Sequence, residues 1–241
     1  MDYWLITGAN RGLGEGLARE LMIRNHQVIS LGRKPGPQGI LAHITLELRD
    51  SEALWKVMDQ VREILPQGNT HERLILVNNA GILGDLLPHS EQSLENMRAV
   101  LEVNLLGPMI LGSRFSAVFA DWPGERHILN ISSGAGRHTY AGWSSYCISK
   151  AGMDMMALSQ AADEEVLGTG VKVYSVAPGI VDTGMQDWIR EADPRMPWLQ
   201  KFQSYKEEGL LVSPEDCARQ YIDAFYQGNL PSGELSDVRR L

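Results

Sequence analysis

Short apolar runs alternate with helical patterns from the first residues of this chain, and no other feature restricts the fold as much. The runs fall at Tyr3–Thr7, Gln27–Gly32, Ile44–Leu48, Leu74–Asn78, His127–Ser132 and Val171–Val176, with a weaker one at Glu234–Val238. Most are continuous and bounded by Gly, Asn or Ser, which is how strands buried on both faces read. Helical segments are predicted between them at Gly14–Arg24, Glu52–Leu65, Leu94–Ala120, Ser145–Leu167 and Pro214–Gln227. The last starts with Ser213 as N-cap and Pro214 in the first turn. Strict alternation implies right-handed crossovers and a doubly wound parallel sheet of about seven strands with helices on both faces. One domain over 1–241 is expected, because no repeat or linker divides the chain. The segment 184–211 breaks the rhythm. It holds Trp188, Pro194, Pro197, Trp198, Phe202 and Tyr205 without a period, and a long insertion of this kind is expected to be a lid.

The first strand runs directly into TGANRGLG, Thr7 to Gly14, and then a helix. Gly8, Gly12 and Gly14 supply a tight turn and let backbone N–H groups approach a pyrophosphate. The helix N-terminus behind them adds partial positive charge. At the start of a βαβ unit this reads as a Rossmann-type dinucleotide site, with the spacing G-x3-G-x-G. An NAD site usually carries an acid at the end of the second strand, for the ribose hydroxyls. Here that strand ends Gly32-Arg33-Lys34, and Arg11 lies in the glycine loop, so NADP(H) is the expected cofactor.

Tyr146 and Lys150 stand four residues apart and share one helix face. A free phenol has a pKa near 10 and exchanges protons slowly at neutral pH. A nearby ammonium favours the phenolate, so the pair predicts a depressed Tyr146 pKa and an acid–base role. Ser133 ends the apolar run HILNISS, where a hydroxyl can hydrogen-bond a substrate carbonyl oxygen.

These features together resemble the short-chain dehydrogenase/reductase family over nearly the whole chain. TGANRGLG is similar to the family's TGxxxGxG turn, and Asn78-Asn79-Ala80-Gly81 to its NNAG motif. Asn104 in VNLLGP stands where the family keeps a catalytic Asn, and Ser133, Tyr146 and Lys150 match the rest of that tetrad. Residues 178–183, PGIVDT, match PGxVxT, whose Thr contacts the nicotinamide carboxamide or the phosphates. The stretch YAGWSSYCISKAGMDMM and the SPED helix start are similar to the benzil reductase group, near sepiapterin reductase. The resemblance implies NADP(H) contacts at Gly8, Asn10, Arg11, Gly12, Leu13, Gly14, Arg33, Glu47, Leu48, Asn79, Ala80, Gly81, Tyr146, Lys150, Pro178, Gly179, Val181 and Thr183. It implies hydride transfer from NADPH to a carbonyl carbon, with Tyr146 giving the proton and Ser133 bonding the oxygen. Lys150 would lower the Tyr146 pKa and hold the nicotinamide ribose. Asn104 would hold a water linking Lys150 to solvent. Two departures stand out. Glu47 replaces the Asp that many relatives place against adenine. The end GELSDVRRL lacks the glycines usual after the last strand, where relatives often build a tetramer, which counts against a tetramer; a homodimer is expected, with a tetramer or a monomer as the alternatives.

Trp143, Ile180, Met185 and Trp188 are the expected pocket residues, with Tyr140, Trp198 and Phe202 near them. Flat aromatic walls suit a bulky uncharged ketone or 1,2-diketone. No basic cluster lines the lid for a phosphopantetheine arm, since Arg190, Arg195 and Lys201 are interleaved with Glu191 and Asp193. The alternatives are a sepiapterin-like pteridine reductase, a broad ketone or 3-oxoacyl reductase, and a non-catalytic NADP-binding regulator. Other classes find little support. The net charge of −8 disfavours nucleic acid and anionic membrane. Cys147 and Cys217 are the only cysteines, so no disulfide scaffold is expected, and the six His show no metal-ligand spacing. No G-x-S-x-G elbow occurs. The N-terminus lacks the pattern of a signal peptide and no apolar run spans a membrane, so a cytoplasmic location is expected.

Overall fold

Seven parallel strands form one sheet in the order β3-β2-β1-β4-β5-β6-β7. They are β1 (Tyr3–Thr7), β2 (Gln27–Gly32), β3 (Ala42–Thr45), β4 (Leu74–Asn78), β5 (Arg126–Ile131), β6 (Lys172–Ala177) and β7 (Leu235–Asp237). The helices are α1 (Gly12–Ile23), α2 (Ser51–Ile64), α3 (Leu94–Leu101), α4 (Gly107–Val118), α5 (Ser144–Leu167), α6 (Gly184–Arg190), α7 (Leu199–Glu207) and α8 (Pro214–Tyr226). The computed structural model describes residues 1–66 and 72–241; His71, one of the six histidines, lies outside them.

Central strands are apolar along their whole length because both faces are covered. β1 and β4 are buried at every position. On one face Trp4, Ile6, Ile75 and Val77 pack against Leu17 and Leu21 of α1 and Tyr221 and Phe225 of α8. On the other, Leu5, Leu76, Ile128 and Val173 meet Leu54 and Val57 of α2, Leu111 and Phe115 of α4 and Ala157 of α5. α1 and α8 approach closely at Gly16, where a Cβ would stand 2.7 Å from the Pro214 carbonyl oxygen. Arg24 pairs with Asp223 at 2.7 Å, and the Tyr226 hydroxyl donates to the Asp2 carboxylate. Side-chain caps start several helices. Asp50 accepts from the Glu52 and Ala53 amides ahead of α2, and Ser213 accepts from the Asp216 amide ahead of α8.

Two expectations are corrected, and one segment without a sequence period proves ordered. The third strand is Ala42–Thr45 instead of Ile44–Leu48. Leu46 and Leu48 are buried, but they pack beyond the strand's pairing with β2. The single helix expected over 94–120 is divided by a π-helical turn at Glu102–Leu106 between α3 and α4. The segment 184–211 is not without structure. It carries α6 and α7, which build a third apolar cluster with Trp143 and Tyr146. Strand order reverses between β1 and β4, so the crevice at their C-terminal ends is the expected ligand position of an open α/β sheet.

Candidate active site

The segments singled out in the sequence converge on that crevice. At the end of β1, Gly8 has φ +69° and Gly12 +55°, backbone that side chains resist. A Cβ on Gly14 would stand 2.3 Å from the Gly8 carbonyl oxygen and 2.4 Å from Asn79 Nδ2, so no larger residue fits. The N-cap of α1, Arg11, makes no side-chain bond to the helix, which leaves its first amides uncapped. An uncapped helix start behind a glycine turn suits a phosphate group. A Cβ on Gly12 would stand 3.2 Å from Thr183 Cγ2, so the two loops form one cradle. Asn10 and Leu13 lie within this turn, Leu13 buried and Arg11 exposed.

Thr7 joins the turn after β4 to β1. Its hydroxyl accepts from the Asn79 and Ala80 amides at 2.9 and 3.0 Å and donates to the Val77 carbonyl at 3.3 Å. Asn79 Nδ2 returns bonds to the Thr7 and Gly8 carbonyls at 2.9 and 3.3 Å. Gly81 lies where a Cβ would be 3.9 Å from Lys150 Nζ. At the end of β2, Arg33 is 74% exposed in its side chain and stands 3.9 Å from Glu47. This carboxylate comes from beyond β3 and is remote in sequence from the strand end it meets. Leu48 is buried beneath the α4 start. Pro178, Gly179 and Ile180 follow β6. Val181 is buried there and bridges to Val212.

The residues of the tetrad come together from three elements. α5 carries Tyr146 and Lys150 one turn apart, both buried. Lys150 Nζ donates to the Ile131 carbonyl at 2.8 Å and sits 6.0 Å from the Tyr146 ring centroid. Ser133 follows β5 and accepts from the Ala135 amide at 3.2 Å, and its hydroxyl lies near enough to the Tyr146 phenol to favour the ionised form. Asn104 occupies the π-helical turn. Its amide pairs with the Ile82 backbone in both directions, at 2.9 and 2.8 Å, and donates to Ser149 Oγ at 3.0 Å. Ser149 donates in turn to the Tyr146 carbonyl at 2.7 Å. Ser149 and Thr7 were missed by sequence reasoning, although each lies inside a motif already singled out.

The protonation picture differs from the expected one. Burial pushes the Tyr146 phenol up to about 12, with the Ser133 hydroxyl pulling it the other way. Burial also pulls Lys150 down to about 8, opposed by the Asp154 carboxylate. The ammonium is engaged with a backbone carbonyl, so the protein's own groups do not depress the phenol as the Tyr–Lys spacing predicts.

Trp143 meets Tyr146 edge to face at 5.8 Å and stacks on Tyr140 at 4.7 Å. Trp198 and Phe202 complete the wall, and Trp198 Nε1 donates to the Ala141 carbonyl at 2.7 Å. Met185 places its sulfur 4.0 Å from the Tyr146 hydroxyl. Trp188 is not part of this wall. It is 57% exposed, outside the buried cluster that holds Ile189 and Tyr146, and lines a shallow outer cleft with Leu86, Leu87 and Glu191. Ile180 is half-buried and lies outside the aromatic cluster. Among the described residues no His, Cys, Asp and Glu group could hold a metal, and no helix is long and apolar enough to cross a membrane.

Residues 3–194 match the family model described as short chain dehydrogenase. The chain is 34% identical over 246 residues to benzil reductase ((S)-benzoin forming) of Bacillus cereus, covering 98% of each. It is 30% identical over 258 residues to sepiapterin reductase of Rattus norvegicus, covering 97% of this chain and 94% of that one. Among solved structures it is similar to the KRED1-Pglu enzyme, with a TM-score of 0.83, 26% identity, and coverage of 98% and 100%.

Proposed function

We propose, from the premise that this chain belongs to the short-chain dehydrogenase/reductase family, that it is an NADPH-dependent reductase of bulky aromatic ketones and 1,2-diketones. It is an oxidoreductase acting on CH–OH and C=O groups, and its family binds NAD(P). The observation that carries the substrate reading is the aromatic wall of Trp143, Tyr140, Trp198 and Phe202, whose Trp143 edge abuts the Tyr146 ring. Such rings offer flat contact area, with about 0.5–1.5 kcal/mol per aromatic pair beyond area burial. The relatives named benzil reductase and sepiapterin reductase also act, by their names, on ring-bearing carbonyl compounds.

The glycine turn, Thr183 and the Asn79–Gly81 segment would hold the dinucleotide, and Arg33 with Arg11 its 2′-phosphate. When bound, the reduced nicotinamide supplies a hydride to the carbonyl carbon. Tyr146 gives its hydroxyl proton to the carbonyl oxygen, and Ser133 hydrogen-bonds the same oxygen as charge develops on it. The high pKa of the buried phenol keeps it protonated, and so ready to act as the acid, throughout the neutral range. Lys150 would hold the ribose and restore the Tyr146 proton, with Asn104 holding the water that links Lys150 to solvent. Substrate displaces Met185 from the phenol, so 184–211 acts as the lid of a single domain. The protein works as a homodimer in a reducing cytoplasm.

The test is NADPH oxidation with benzil by the purified protein, followed by chiral chromatography of the hydroxyketone. One carbonyl lies by Tyr146 and Ser133 while the second ring fills the wall, so a single enantiomer is expected. A racemic product, or no diketone reduction beside good turnover of 3-oxoacyl thioesters, overturns the reading.

A further inference from the structure

Tyr146, Lys150 and Asp154 recur at four-residue intervals and form one stripe along α5. Asp154 is only 4% exposed, and every bond it makes points back to the site. Its Oδ1 accepts from Ser132 at 2.5 Å and from Ser175 at 2.6 Å, and its Oδ2 accepts from Arg137 Nε at 3.2 Å. These partners come from the end of β5, from β6 and from the loop after Ser133. Lys150 grips the same strand end, through the Ile131 carbonyl. Ile131, Ser132 and Ser133 are consecutive, so two side chains of α5 hold the two residues before the serine that faces the phenol. A buried carboxylate is costly unless its lone pairs are used, and three are used here.

We propose that Asp154 is a positioning residue for the reaction: its clamped carboxylate fixes the Ser133 strand end against α5 and supplies the counter-charge that keeps Lys150 an ammonium. Among the described residues, the titratable groups on the Lys150 face of its own helix are Tyr146 and Asp154, and Arg137, on the loop after Ser133, reaches this stripe through its bond to Asp154. The turns after β4 and β5 approach Lys150 with uncharged Gly81 and Gly136, and β6 meets Asp154 with the uncharged Ser175. Burial draws the Lys150 proton off near pH 8, and Asp154 is the group opposing that loss. The catalytic consequence rests on the carbonyl-reductase reading, but the charge relation does not.

The two are separated by titrating the protein without substrate. Lysine is labelled with ¹³C, and the Lys150 Cε resonance is identified by its absence in Lys150→Arg. Asp154→Asn keeps the shape and an acceptor oxygen but removes the charge. Its Lys150 midpoint should move down by about one pH unit, a tenfold change in proton affinity. Arg137→Gln removes the competing cation from a partly exposed position, so the midpoint should move up. Where diketone reduction is observed, the alkaline limb of kcat should follow the same two directions, with the KM for NADPH less affected than kcat. A midpoint unmoved in Asp154→Asn overturns the proposal. If that variant does not fold, Arg137→Gln decides: an upward shift supports the proposal, and no shift or a downward one overturns it. An unreactive wild-type protein whose Lys150 midpoint still moves as stated removes only the substrate reading.

Discussion

Replacing Thr7 by Val should loosen the cofactor end of the protein far more than its one-atom change suggests. The Thr7 hydroxyl has one donor and two acceptor sites, and all are used: by the Val77 carbonyl and by the Asn79 and Ala80 amides. Val is nearly isosteric, so no cavity term enters. The Ala80 amide loses its partner and then faces a methyl group, whereas the Asn79 amide and the Val77 carbonyl keep their bond to each other at 3.1 Å. One unsatisfied amide costs about 1–2 kcal/mol here, at the low end because Ala80 is half-buried. At about 2–4 °C per kcal/mol for a chain this long, the Tm should fall by roughly 2–8 °C. Thr7→Ser restores the hydroxyl and should recover most of the loss. Urea unfolding followed by circular dichroism gives the stability. Quenching of protein fluorescence by NADPH gives the affinity, which should fall with it because Asn79 also closes the glycine turn. A Val variant within about 0.5 kcal/mol of wild type would show that the turn is held by other means.

Tyr146→Phe should remove nearly all turnover and leave NADPH affinity within a few-fold, whereas Lys150→Ala should damage both; steady-state kinetics with equilibrium binding separates the two. Arg33→Asp should shift the kcat/KM preference from NADPH toward NADH by roughly 10–100-fold, from a charge-assisted bond contributing about 1.5–3 kcal/mol, and an unmutated enzyme that prefers NADH would refute the assignment. Trp198→Ala should lower diketone kcat/KM while leaving NADPH binding unchanged, since the indole packs on Trp143 and Phe202 and bonds the Ala141 carbonyl. Burial pulls His127 down to about 4, so the unfolded chain takes up that proton first as pH falls from 6.5 to 4. Stability present above 6.5 should therefore decline across that window by up to about 3 kcal/mol. Urea midpoints of wild type and His127→Gln at pH 7 and pH 4.5 measure it, the variant showing the smaller decline.

The central strands were legible because burial on both faces leaves an unbroken apolar run, as in Leu74–Asn78. The third strand was not. Leu46 and Leu48 carry the apolar signal but are buried past the pairing, while the paired residues Ala42 and His43 carry little. The π-helical turn has no periodicity of its own. Asn104 sits among good helix formers, and its bonds to Ile82 and Ser149 from distant segments hold the turn. α6 and α7 are short and interrupted by Pro194 and Pro197, and their order comes from the aromatic cluster they complete. Tyr146 and Lys150 were readable from spacing, but the direction of their pKa shifts was not, because burial of α5 is a tertiary property. Asp154 reads in sequence as one more polar helix residue; only the fold brings Ser132, Ser175 and Arg137 around it.

The packing of α1 on α8 has a consequence for how the chain is made. β1 lies in the middle of the sheet, yet the helix that covers α1 is almost the last element translated. At ribosomal rates of about 5–20 residues per second, on the order of 10–40 s separates the emergence of α1 from that of α8. Throughout that interval Leu17, Leu21 and Trp4 lack Tyr221 and Phe225, and Gly16 has no Pro214 to approach. The nascent chain therefore carries an open apolar seam, a natural stop for chaperones that shield such surfaces at the ribosome. Translation arrest before Ser213 should release a product that is degraded instead of a smaller working enzyme.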